Sequence, residues 1–141
     1  MDLEVITQKL DSLVRCIQRV KSSCPNTLVE LQKNIDAQDI VTLNLTRAVQ
    51  LTVDIGSHIA ADTPNPAPAT MGESFELLNQ LGVIEAGLAA RLKKAVGFRN
   101  IAVHNYEVIN WDVVYHIVTE RLVDFTDFVS AINSWLKTRS T

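Results

Sequence analysis

Leu43-Asn44-Leu45-Thr46-Arg47-Ala48-Val49-Gln50-Leu51-Thr52-Val53-Asp54-Ile55-Gly56-Ser57-His58-Ile59 decides the fold. Wound as a helix, this stretch is apolar on nearly every side, and such a helix belongs at the centre of a packed protein. The exception is Arg47, Gln50, Asp54 and His58, spaced three, four and four apart and therefore aligned on one face. Asp39 and Asn44 extend this series, and Asp54 and His58 are spaced to form a hydrogen bond or salt bridge. The stripe must meet water or partners. It is either the solvent face of the helix or the wall of a cleft or subunit seam. Neither reading gives it a chemical step.

Further helices flank this one. Leu3, Ile6, Leu10, Leu13, Ile17 and Val20 form an apolar stripe that ends at Cys24-Pro25-Asn26. Thr27 to Lys33 is a short helix, and the long middle helix runs from near Asp36 or Asp39 to about Ala61. Thr63 to Pro68, with three prolines, is a loop. Ser74, with Leu77 and Leu78, reads as the cap of a short helix closed by Gly82. Another helix starts near Val83, and Asn110 caps a last one reaching Leu136. No alternating strand pattern appears. The expectation is an all-α antiparallel bundle of four long helices plus one or two short ones, a single domain over residues 1–141.

Size and composition narrow the function. A chain of 141 residues buries a substantial core by itself, and no apolar run is long enough to span a membrane. The N-terminus Met1-Asp2-Leu3-Glu4 is acidic and amphipathic, unlike a secretory signal, so a cytoplasmic protein is expected. Cys16 and Cys24 then read as reduced thiols, and without a nearby His pair they make a poor zinc site. The net charge of −3 argues against broad, salt-driven binding of duplex nucleic acid. Arg91, Lys93, Lys94 and Arg99 nevertheless gather before His104, either as cations favoured near a helix C-terminus or as a phosphate-attracting rim.

Chemistry concentrates in Arg99-Asn100-Ile101-Ala102-Val103-His104-Asn105-Tyr106. Arginine holds phosphate with a planar fork of donors, and histidine moves protons near neutral pH without a metal. Together they point to phosphodiester chemistry. On one straight helix Arg99 and His104 would diverge by roughly 140°, while Arg99 and Tyr106 would share a face. Either the helix breaks near Gly97 or after Val103, or a second chain completes the site. No glycine-rich phosphate loop is present. His116, Trp111 and Trp135 read as packing or surface residues.

The pattern Arg-x4-His-x-Tyr resembles the signature of HepT toxins in the HEPN superfamily of small helical ribonucleases. The resemblance implies a homodimer whose motifs meet across the two-fold axis, with the Arg47, Gln50, Asp54 and His58 stripe at the cleft or dimer seam. It implies metal-independent RNA cleavage with no cofactor. His104 would move the 2′-hydroxyl or 5′-oxygen proton, Arg99 would stabilise the phosphorane charge, and Asn100 would orient His104 or bind phosphate. It further implies a type VII-like toxin–antitoxin pair. In such a pair a cognate minimal nucleotidyltransferase of the MntA kind joins the toxin in a larger hetero-oligomer and silences it by attaching AMP to Tyr106. The alternative of a different class is a noncatalytic HEPN adaptor or nucleotide-sensing module that only binds its nucleotidyltransferase.

Overall fold

The computed structural model describes residues 2–139. Helix α1 spans Leu3–Ser23, capped by the Asp2 carboxylate on the Val5 N–H, and its predicted stripe is buried from Ile6 to Val20. Thr27 caps α2, Leu28–Lys33. Asn34 then caps α3, Ile35–Ala61, a little earlier than expected because its side-chain oxygen accepts the Ala37 N–H at 3.0 Å. The near-uniform apolarity of α3 is used on several sides, since it touches α1, α2, α4, α5 and α7.

Helix α4 spans Met71–Gln80, and its cap is Thr70 rather than Ser74. Thr70 Oγ1 accepts from the Glu73 N–H while the Glu73 carboxylate takes the Ala69 N–H, so the helix start is satisfied four residues earlier. Ser74 instead lies buried against Gly56 of α3, where a Cβ would stand 3.4 Å from the serine and 3.3 Å from Leu78. The small residues let the two helices approach closely. Gly82 ends α4 as predicted, with φ +78° and open space, nothing within 4 Å, where a Cβ would stand. Gly82→Ala is therefore expected to cost about 1–2 kcal/mol purely through backbone conformation, read as a lower urea midpoint at unchanged slope.

Helix α5, Ala86–His104, begins later than Val83 because Val83 and Ile84 turn into the core before it starts. A 3-10 turn over Tyr106–Val108 follows. Asn110 caps α6, Trp111–His116, by accepting the Asp112 N–H at 2.9 Å. The expected single last helix is interrupted: Ile117–Arg121 form a π turn before α7, Leu122–Arg139. Four long helical segments with short α2 and α4 thus make the expected all-α bundle, with no strand among the described residues. Phe75, Phe128, Leu13, Ile55 and Ile132 fill its centre. No helix among the described residues is long and apolar enough to cross a membrane.

Candidate functional site

The polar motif occupies the end of α5 and the turn beyond it. The helix does not break at Gly97 and continues one residue past Val103, so Arg99 and His104 lie on one unbroken helix and point roughly 140° apart. Arg99 is half-buried, its Nε is enclosed without a hydrogen-bond partner, and its Nη1 donates to Asn100 Oδ1 at 3.1 Å. Asn100, expected to orient His104 or to bind phosphate, here contacts the arginine. His104, the last helical residue, is exposed.

Tyr106 lies outside the helix, so the seven-residue register with Arg99 does not apply. The backbone leaves α5 at Asn105, with φ −153° and ψ 61°, and turns the phenol back onto α3. There Tyr106 Oη donates to Asp39 Oδ1 at 2.6 Å. The ring meets Trp111 edge-on, with centroids 6.2 Å apart and planes at 69°. Partial burial, then the Asp39 hydrogen bond and the Asp39 charge, push the Tyr106 hydroxyl up to about 12, against a small opposing pull from the Thr42 hydroxyl. The buried Thr42 Oγ1 has no hydrogen bond of its own in this geometry.

A raised acid favours its neutral form in the folded state. The stabilisation from Tyr106 is therefore complete below the ordinary phenol range, near 10, and is lost as pH rises through about 12. Absorbance titration of a Tyr115→Phe variant, in which Tyr106 is the only tyrosine, is expected to give a midpoint near 12. Asp39→Asn should move that midpoint down, because the carboxylate charge is gone.

The polar stripe of α3 lies elsewhere. Asp54 accepts from Gln50 Nε2 at 2.9 Å and pairs with Lys9 of α1 at 3.6 Å, so it is held by those residues and not by His58. Arg47 stands beside Cys16 of α1, where its charge opposes the rise that burial gives the thiol. Asn44 is buried and donates to the Ile40 carbonyl at 2.8 Å, which removes it from the surface series. Within one chain Arg47 and Asp54 of the stripe lie along the α1 seam, while Asp39 and Thr42 are the α3 residues that reach the motif. Asp39 is legible in the sequence only as an extension of the stripe, and nothing in the spacing links it to Tyr106.

The basic cluster is also partly spoken for. Arg91 Nε binds the buried Asp124 at 2.8 Å, and Lys93 pairs with Glu76. Lys94 and Arg99 remain as the cations of the proposed rim. An apolar groove of about 660 Å³ lies between α5 and the α6–α7 segment, lined by Phe98, Ile101, Val108 and Val113. None of Arg99, His104 and Tyr106 lines it, so this groove is not where the motif's chemistry lies. No three His, Cys, Asp or Glu side chains among the described residues converge as metal ligands.

Comparison with known proteins gives the family. Residues 13–132 match the family model of HepT-like ribonucleases. The chain is 36% identical over 131 residues to the mRNA nuclease HepT of Shewanella oneidensis, covering 93% of this chain and 98% of that protein. It is 25% identical over 134 residues to the tRNA nuclease HepT of Aphanizomenon flos-aquae, covering 95% and 91%. It also matches a solved tri-AMPylated Shewanella oneidensis HEPN toxin in complex with its MNT antitoxin. That match has a TM-score of 0.87 at 36% identity, over 95% of this chain and 99% of that one. A helical bundle with Arg-x4-His-x-Tyr running from the end of its fifth helix into the turn beyond, matched over most of its length, belongs to the HepT-like family of HEPN ribonucleases.

Proposed function

We propose that this chain is the toxin of a toxin–antitoxin pair, a metal-independent endoribonuclease silenced when a cognate nucleotidyltransferase adenylylates Tyr106. The observation that carries the reading is the exposed end of α5. It presents a half-buried Arg99 whose Nε lacks a partner, an exposed His104 and, one residue past Asn105, a phenol accessible to solvent. The nuclease relatives and the AMPylated toxin–antitoxin complex support the same assignment.

The chemistry follows from the side chains. Arg99 offers unpaired donors to a phosphate and gains strength as charge builds on the phosphorus centre. His104 moves the 2′-hydroxyl proton or protonates the departing 5′-oxygen. Asn100 holds the guanidinium through its Oδ1 and so orients Arg99. Because Arg99 and His104 diverge on one helix, a homodimer supplies the second half of the site, Arg99 of one subunit acting with His104 of the other. A guanidinium and an imidazole between them supply the charge stabilisation and the proton transfer that the cleavage requires. Arg47, Gln50, Asp54 and His58 take no chemical step and are assigned to the subunit or antitoxin seam along α1 and α3.

The test is cleavage of labelled RNA in EDTA by protein prepared without its nucleotidyltransferase, with analysis of the product ends. The expected products carry a 2′,3′-cyclic phosphate and a 5′-hydroxyl. A 5′-phosphate product, or no cleavage by protein whose mass shows Tyr106 unmodified, would contradict the proposal.

A further inference from the structure

The Tyr106–Asp39 hydrogen bond joins residues 67 apart in sequence, from two different helical segments, at the one phenol proposed as the modification site. A phenol held up to about 12 supplies almost no phenolate at neutral pH. It must therefore lose its proton as it attacks, to a base already within hydrogen-bond reach. Asp39 Oδ1, at 2.6 Å, is that acceptor. Trp111 against the ring edge and the Asn105 turn fix the direction of the phenol. The unpartnered, buried Thr42 hydroxyl beside it is placed to donate to the oxygen as negative charge develops there.

We propose that Asp39 is the proton acceptor and positioning residue for adenylylation of Tyr106, so that the toxin contributes its own base to the reaction that silences it. This rests on the reading of Tyr106 as the acceptor. In the step, Tyr106 Oη attacks the α-phosphorus of a nucleoside triphosphate held by the partner nucleotidyltransferase. The Oη–P bond forms, the bridging P–O bond breaks, pyrophosphate leaves with the electron pair, and the Oη proton passes to Asp39 before reaching solvent. The product oxygen has no hydrogen left to donate, and its phosphodiester monoanion faces the Asp39 carboxylate. Like charges then push the modified side chain off α3. The hydrogen bond that prepares the phenol is thus consumed by the reaction.

Asp39→Asn tests this, because the amide oxygen still accepts the phenol hydrogen bond but takes no proton. Wild type and variant are mixed with the cognate nucleotidyltransferase and ATP from pH 6 to 9. The rate of AMP addition is followed by intact mass, the labelled residue is mapped by peptide mass, and melting is recorded for both. Wild-type label at Tyr106, with the variant slowed at least about 100-fold at neutral pH, is the expected result. The ratio of variant to wild-type rate should climb with pH, since hydroxide replaces the missing base. That ratio cancels the transferase's own pH dependence, and a merely structural role would not move it. Label at Tyr106 with equal rates in both proteins would overturn the role of Asp39 and leave the acceptor reading standing. Label elsewhere, or none in the wild type, would overturn both.

Discussion

Replacing His104 with alanine is expected to lower RNA cleavage at least about 100-fold, the usual worth of a positioned proton-transfer group, while the fold melts almost unchanged. The second half of that expectation follows from the position of His104, which is exposed at the last residue of α5 and fills no core space. Its loss forfeits at most a small favourable interaction with the helix end, about 0.3–1 kcal/mol when protonated. Arg99→Ala should give a comparable loss of cleavage. The guanidinium makes one side-chain hydrogen bond, to Asn100, and its Nε makes none, so the fold gives up little when it goes. Arg99→Lys should fail to restore activity, since an ammonium keeps the charge but loses the planar fork. The measurement is initial cleavage rate beside a thermal melt for each variant. Full activity in His104→Ala would remove the histidine from the mechanism.

The largest effect on stability is expected at the centre of the bundle. Phe128 of α7 is fully enclosed, and Phe128→Ala should cost about 3–5 kcal/mol from lost transfer energy and the cavity left behind. For a domain of this size that is a fall of roughly 10–20 °C in melting temperature. The four long segments share one core, so the loss should appear as a single cooperative transition moved as a whole. A decrease below about 1 kcal/mol would mean the bundle collapses around the gap or that α7 is not needed to close it. Together the two variants separate chemistry at the end of α5 from packing at the centre.

Much of what is local in this fold is legible in the sequence. The α1 stripe, the short helix after Thr27, the Asn110 cap, the proline loop and the Gly82 stop each depend on residues a few positions apart, and each stands where the sequence places it. Ser74 misleads because a serine before apolar residues looks the same as a cap and as a small residue packed against Gly56. Thr70 and Glu73, slightly upstream, carry the true signal. The π turn at Ile117–Arg121 leaves no mark in an apolar periodicity that continues across it. Asp54 illustrates another limit: spacing offers His58, but Gln50 on the same helix and Lys9 from α1 take the carboxylate. The motif itself is legible as residues and spacing. Its partners Asp39 and Thr42 are not, because a contact across 67 residues is set by how α3 and the α5 exit pack together.

The central claim is that one site both cuts RNA and is silenced through Tyr106. Its most direct test starts from unmodified protein and treats it for increasing times with the cognate nucleotidyltransferase and ATP. Each sample is divided between intact mass, peptide mapping and RNA cleavage in EDTA. Activity should fall in step with the fraction of Tyr106 carrying AMP, and a Tyr106→Phe variant should receive no label there. Fully labelled Tyr106 with undiminished cleavage would contradict the claim.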